Sequence, residues 1–288
     1  MLRVGIVINP DKPGAREVLG GLVDWLQARG VSTFLTRESA DTLQSPGLFV
    51  PTEEWGDKVS FAIVLGGDGT LLAAARMLEP ARIPLLGVNL GRLGFLTEIE
   101  VEDLYPRLEG FLRGDYFLDQ RVMLEATVHR AGREVARFAA LNDVVISKGP
   151  FARIVHLETF INDILVETYP ADGLIIATPT GSTAYSLSAG GPIVNPGLDV
   201  LILTPICPHT LYARSLVIGK DEKVKVSPVN PQTQLTLTLD GQEGYPLRVG
   251  DQVVVEQSTR VVKLMRHRGW SFYRVLQRKL TTARPEVD

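Results

Sequence analysis

Apolar positions along the chain follow two different rhythms, with the change near residues 114–120. In the first stretch, 2–8 is a short apolar run ending at Asn9-Pro10, which predicts a buried strand and then a loop. Pro13 suits a helix start, Val18, Leu19, Leu22, Val23 and Leu26 recur at helical spacing, and Gly30 falls where a left-handed cap fits. Residues 31–36 predict a second strand, and 37–57, a mixture without a period, a loop with one short helix. A stronger strand is predicted over 61–65, a helix over 71–78, another strand over 83–88 and a helix over 101–113. Strand–helix alternation of this kind implies a Rossmann-like α/β domain, a parallel sheet covered by helices.

From Arg121 to about Arg266 the period shortens to two, in stretches over 122–129, 134–140, 153–160, 164–169, 235–239 and 252–256. Ala131-Gly132, Asn162-Asp163 and Asp240-Gly241 punctuate them as turns, so this part is expected to be all-β. Residues 270–280 return to a helical composition and 281–288 read as a frayed tail. The expected division is an α/β domain over 1–118, a β-rich domain over 119–267, and a C-terminal segment, 268–288, packing back on the first.

Composition narrows the function classes. The 288 residues are 45% hydrophobic and 22% charged, ordinary globular usage, and the formal charge is −3. An acidic pI near 5.9 argues against a nucleic-acid partner. No apolar run approaches the ~18 residues of a membrane span, no secretory pattern opens the chain, and the single Cys207 has no internal partner. The expectation is a cytoplasmic protein without a membrane partner.

The first chemistry-bearing cluster follows the 61–65 strand: Gly66-Gly67-Asp68-Gly69-Thr70. Glycines let backbone amides approach a ligand, and the N-terminus of the following helix favours phosphate. Crevices at the carboxyl ends of parallel strands are the usual ligand sites of such sheets. A helix cap accounts for Asp68 as a structural residue, but a carboxylate beside bound phosphate is repelled and therefore needs a task. Metal coordination and deprotonation of a hydroxyl nucleophile are the two on offer. GxGxxG fails because Leu72 stands at its third glycine, and no P-loop, HExxH or GxSxG occurs. His129, His156, His209 and His267 lack metal-ligand spacing.

A second cluster runs over 171–192, where an apolar strand enters Pro179-Thr180-Gly181 and then a hydroxyl-rich segment. Thr178, Thr180, Ser182, Thr183, Tyr185, Ser186 and Ser188 place seven hydroxyls beside Asp172. A polar turn explains any one of them; together they suggest several donors offered to one polar ligand.

With these pieces in hand, the chain resembles the NAD kinases. Gly66–Thr70, residues 89–97 (NLGRLGFLT), Asn142-Asp143, residues 172–192 and Asp240-Gly241-Gln242 follow one another in that family's order. The resemblance implies transfer of the ATP γ-phosphoryl group to the 2′-hydroxyl of the adenosine ribose of NAD, giving NADP. It implies an N-terminal α/β domain, a C-terminal β-sandwich-like domain, a divalent metal such as Mg²⁺, and a homo-oligomer, dimer or tetramer.

Carried over by position, Asp68 matches the family's general base and Gly69 a neighbouring nucleotide contact. Gly66, Gly67, Gly69 and Thr70 form the expected phosphate loop. Asn142, Asp143, Arg153, Asp172, Thr183, Ala184, Tyr185, Ser186, Leu187, Ser188 and Gln242 match NAD contacts, and Asn89 and Phe95 fall near the expected pocket. One departure is visible: Pro170 stands where some relatives carry Arg. Asn162-Asp163, between two alternating stretches, reads instead as a hairpin turn. Lys148, Arg153 and Arg92 lie near motif positions and have an assisting or a solvated role open to them.

A ribose hydroxyl is a poor nucleophile at neutral pH, and a positioned carboxylate accepting its proton contributes ~10²–10⁴-fold. Alignment and charge neutralisation supply the remainder of phosphoryl transfer. No carboxylate cluster at ligand spacing is visible, so Mg²⁺ is expected on ATP phosphates and water, its direct ligands unassigned. The sequence leaves polyphosphate open as a second donor. Two alternatives share parts of the pattern: a diacylglycerol-type lipid kinase, and a non-catalytic NAD-binding sensor, which would have no use for Asp68.

Overall fold

A computed structural model describes residues 2–91, 94–149, 154–210, 212–229 and 235–282, the last three by backbone alone. In chain order the first elements are β1 (Arg3–Ile8), α1 (Ala15–Gln27), β2 (Ser32–Leu35), α2 (Arg37–Leu43), α3 (Trp55–Lys58), β3 (Phe61–Gly66), α4 (Asp68–Leu78), β4 (Leu85–Asn89), β5 (Ile99–Glu100) and α5 (Leu104–Leu112). There follow β6 (Phe117–Arg130), β7 (Arg133–Ala140), β8 (Asp143–Lys148), β9 (Val155–Ile161), β10 (Ile164–Ala171), β11 (Gly173–Ala177) and α6 (Tyr185–Ser188). The rest are β12 (Val200–Ile206), β13 (Leu216–Gly219), β14 (Val224–Pro228), β15 (Leu235–Leu239), β16 (Glu243–Leu247), β17 (Gln252–Arg266) and α7 (Phe272–Thr282).

The chain forms two compact units, 1–120 with 262–288, and 121–261. The cuts expected at 118/119 and 267/268 move because β6 and β17 are long uninterrupted strands, and a strand has no compositional seam at the point where its neighbours change. The shift brings Arg266, with Asp119 and His267, into the first unit.

In the first unit the strand order β2-β1-β3-β4 is parallel throughout, and β5 and the end of β17 also pair parallel to β4. β1, β3 and β4 are buried almost end to end, as strands covered by helices must be. Leu19, Leu22, Val23 and Leu26 of α1 and Leu104, Leu108 and Phe111 of α5 pack onto Val4, Ile6, Ile63 and Leu86. The 37–57 segment holds the expected short helix, α2, at its start, capped by Thr36, whose hydroxyl accepts the Ser39 N–H at 3.3 Å, and a second, α3, begins at its end. α4 begins at Asp68, earlier than the apolar period predicts, because its first turn is glycine and polar.

The second unit is antiparallel β. One sheet has the order β13-β12-β11-β8-β15-β16. The facing layer contains β10, β9, β14, β17, β6 and β7. Val144, Ile146, Leu174 and Leu237 meet Leu124, Leu157, Val226 and Val253 in one core, which makes this a β-sandwich. Asn162 and Asp163 sit at φ 48° and 67°, the pair of left-handed residues a two-residue hairpin loop requires. Lys225 pairs with Asp163 at 2.7 Å on the outside of that turn.

Candidate functional site

In the first unit, the turn between β3 and α4 presents Asp68 as the first residue of a helix. Its carboxylate is held by three successive backbone amides. The Phe95 N–H donates to Oδ2 at 2.7 Å, while the Leu96 and Thr97 N–H groups donate to Oδ1 at 3.0 and 3.3 Å. A carboxylate oxygen accepts two hydrogen bonds, so Oδ1 is filled and Oδ2 keeps a lone pair for one more donor. A carboxylate clamped in this way cannot rotate away when a hydroxyl arrives. Gly94 is required by the same contact, because a Cβ there would overlap Asp68 Oδ1.

The glycines of the turn have separate reasons. A Cβ on Gly66 would overlap the Thr70 side chain, whose hydroxyl accepts the Gly67 N–H at 3.4 Å, so Gly66 and Thr70 are a packing pair. A Cβ on Gly67 would meet only Asn89 Oδ1, at 4.0 Å, so no close contact requires glycine there. Gly69 is exposed on the first turn of α4. Asn89 is buried at the end of β4 and donates from Nδ2 to the Gly91 carbonyl at 2.6 Å, so it holds its own turn. The Lys279 ammonium lies 5.4 Å from the centre of the Phe95 ring. Arg92 lies outside the described residues.

The second unit repeats the device. Asp240, at φ 51° in the β15–β16 turn, accepts the Leu141, Asn142 and Asp143 N–H groups at 3.1, 2.7 and 3.3 Å. The carbonyls of the same segment are held by Thr178, whose hydroxyl donates to Leu141 at 2.6 Å and whose N–H donates to Asn142 at 2.9 Å. Asn142 and Asp143 are thereby fixed at the mouth of β8. They line a cavity of about 250 Å³ with Ala184, Tyr185, Thr238, Asp240 and Gly241. That volume suits one ring with part of a ribose rather than a whole dinucleotide, which calls for more.

Asp143 is 3% exposed, and burial first, with the nearby Asp240 charge second, pushes its carboxyl up to about 7. Near neutrality it has both protonation states within reach and can donate to or accept from a polar ligand group. Lys148 pairs with Asp172 at 3.2 Å, at the far end of the strands that carry Asp143 and Gly173.

The hydroxyl-rich segment is used differently from expectation. Thr178, Thr180, Ser182 and Ser186 are buried. Ser182 donates to Pro179 at 2.7 Å and accepts the Val194 N–H at 3.0 Å; Ser186 bonds Thr204 at 2.9 Å; Arg121 donates to Thr180 at 3.3 Å. These four hydroxyls fold the loop, because a turn buried under a sheet must satisfy its polar atoms internally. Ser186 is fully buried against Thr204. Tyr185, Leu187 and Ser188 are exposed, and Thr183 and Ala184 half-buried, on the segment beside the cavity. Gln242 is exposed on the Asp240 turn. Arg153 lies outside the described residues. Asp240 and Thr178 are the residues whose supporting role sequence reasoning undervalued; the Asp-Gly turn was the signal for Asp240, and the first hydroxyl after the apolar strand that for Thr178.

Comparison with known proteins adds the context. Residues 4–116 match the ATP-NAD kinase N-terminal domain and residues 141–267 the ATP-NAD kinase C-terminal domain. The chain is 47% identical over 289 residues to an NAD kinase of Heliobacterium modesticaldum, covering 99% of this chain and 100% of that protein. It is 44% identical over 281 residues to one of Natranaerobius thermophilus, 98% of each. Among solved structures, yeast NADH kinase complexed with NADH superposes with a TM-score of 0.89 at 25% identity, over 100% of this chain and 90% of that one. An Archaeoglobus fulgidus NAD kinase in complex with ATP shares the fold, with a TM-score of 0.75 at 23% identity over 98% and 100% of the two chains.

Proposed function

Because this chain belongs to the ATP-NAD kinase family, we propose that it transfers the γ-phosphoryl group of ATP to the 2′-hydroxyl of the adenosine ribose of NAD, giving NADP. The observation that carries the mechanism is the state of Asp68. It is a carboxylate at a helix N-terminus, gripped by three amides, with Oδ2 retaining an acceptor position. In this reading Oδ2 takes the proton of the 2′-hydroxyl as the oxygen attacks, and the Gly66-Gly67 turn and first turn of α4 receive donor phosphates. ATP as donor accords with the complex of the structural relative, and a nicotinamide dinucleotide as acceptor with the NADH complex of the other.

In the second unit, Asn142, Asp143 and the 183–188 segment are proposed to bind the dinucleotide, with Asp172, Gln242 and Arg153 as further contacts. The cavity beside Asn142 and Asp143 supports this reading. A divalent ion belongs with the nucleotide in the same reading. Among the described residues no group of three or more His, Cys, Asp or Glu side chains is placed to hold a metal. In this reading the ion is carried in on the ATP phosphates and water.

A homo-oligomer in the cytoplasm completes the proposal. An exposed apolar strip supports assembly: Ile164 is 70% and Leu165 51% exposed, with Val166 and Val217 also open. No helix among the described residues is long and apolar enough to cross a membrane. The test of the activity is an end-point assay of the purified protein with ATP, Mg²⁺ and NAD, read by a strictly NADP-dependent dehydrogenase. NADP formation is the expected result; NAD binding without NADP would leave a sensor.

A further inference from the structure

The clamp on Asp68 has a second side. A trans peptide points its N–H and C=O in opposite directions, so the segment that offers amides to Asp68 turns its carbonyls the other way. Those carbonyls meet Arg266, at the end of β17. Its Nη1 donates to the Leu96 and Thr97 carbonyls at 3.0 and 3.3 Å, and its Nη2 to the Phe95 carbonyl at 3.4 Å. The Phe95–Leu96 and Leu96–Thr97 peptide groups are therefore each bonded to a guanidinium through oxygen and to the Asp68 carboxylate through nitrogen. The two peptide dipoles lie side by side, each with its oxygen toward the cation and its N–H toward the anion, an arrangement in which the bonds at either end of a peptide polarise and strengthen each other.

Arg266 is itself buried and held on several sides. Its side chain is 0% exposed and pairs with Glu98, 2% exposed, at 3.1 Å and with Asp119 at 3.3 Å. Glu98 accepts the His267 N–H at 3.0 Å, and the guanidinium lies 4.6 Å from the centre of the Trp270 ring. Burying an arginine this fully is costly unless every donor is satisfied. A hydrophobic strand end would fill the same space more cheaply, so the cost calls for a return beyond packing.

We propose that Arg266 is a positioning residue for phosphoryl transfer: it locks the 95–97 peptides so that Asp68 Oδ2 faces the acceptor hydroxyl. The proposal rests on the reading of Asp68 as the base. Arg266 touches neither substrate in this account and acts only through the peptides. Its loss therefore lowers kcat and leaves NAD affinity nearly alone, since misplacing a reacting group by ~1 Å can cost about 10²-fold.

The test is a kinetic cycle on the full chain with Asp68→Asn, Arg266→Lys and the double variant, measuring kcat, KM for NAD and melting temperature. Arg266→Lys keeps the charge but has no fork to span the carbonyls. It is expected to lower kcat at least tenfold with KM within about threefold. In the Asp68→Asn background the same change should alter residual turnover less than twofold. Asp119→Asn serves as control, weakening the ion pair while sparing the carbonyl bonds, with kcat within twofold of the parent.

Equal fold-losses from Arg266→Lys in both backgrounds, a change confined to KM, or an unchanged kcat would overturn the proposal. So would an equal kcat loss in the Asp119→Asn control, which would assign the effect to the ion-pair cluster rather than to the carbonyl bonds. If Arg266→Lys fails to fold, Arg266→Met combined with Glu98→Gln, which leaves neither of that pair charged and alone, is read by the same criteria. Parent-like turnover in Asp68→Asn alone would remove the base, and with it any role for the residue that holds it. That result is distinct from all the others.

Discussion

Asp68 and Asp240 are each held by three consecutive backbone amides, yet the two clamps do different work. At Asp68 the clamp fixes the acidic side chain and leaves Oδ2 an acceptor. At Asp240 it fixes the segment being gripped, and so aims Asn142 and Asp143 at their cavity. Asp68→Asn is expected to keep NAD binding within about tenfold and cut turnover ~10²-fold or more, because it removes proton acceptance at constant shape. Asp143 carries a pH signature. Its carboxyl stands at about 7 in the fold against an ordinary 3.8, so the folded state binds the proton more tightly than the unfolded chain. Stability should then fall as pH rises from about 4 to about 7 and level off above. Asp143→Asn should abolish that slope and raise the melting temperature at pH 8 but not at pH 4, by thermal unfolding across the range. A wild-type stability that climbs between pH 4 and 7, together with no gain in the variant at pH 8, would contradict the burial of a neutral carboxyl there.

At the scale of elements, the segments flanking the cavity separate binding from scaffolding. Tyr185→Ala should weaken NAD binding several-fold, whereas Asp163→Ala, on the β9–β10 turn facing Lys225, should leave affinity unchanged; isothermal titration calorimetry distinguishes them. The α/β elements were legible because short apolar runs alternate with helical periods. β11 was legible in the same way, as the apolar run entering Pro179, whereas β8 was not placed as a strand, since a central strand buried over most of its length carries no alternation to read. The one short helix expected within 37–57 could not be placed on α2, because seven residues with only Ala40 and Leu43 apolar, capped by Thr36, present no repeating apolar stripe. The site was legible in its motifs and not in its supports. Seven hydroxyls near Asp172 suggest donors to a ligand, but a sequence does not show which hydroxyls a buried turn consumes. A single arginine ending a β-strand, like Arg266, has no local pattern at all; its partners lie about 170 residues away at Phe95, Leu96 and Thr97.

Across the whole molecule, the two units divide the work: the first carries the proposed base and phosphate turn, the second the proposed dinucleotide contacts. The exposed strip at Ile164, Leu165 and Val166 predicts self-association, and Ile164→Lys should shift the protein toward smaller species in sedimentation velocity. An unchanged distribution would move the interface elsewhere. The central claim concerns which hydroxyl is phosphorylated. A single clamped carboxylate reaches one hydroxyl in a fixed pose, so the product should carry its new phosphate on the 2′-oxygen of the adenosine ribose alone. Phosphorus NMR of the product, run beside NAD containing 2′-deoxyadenosine, reads this directly. The account predicts one 2′-phosphomonoester from NAD and no turnover of the deoxy analogue; a 3′-phosphate, or a phosphorylated deoxy product, would contradict it.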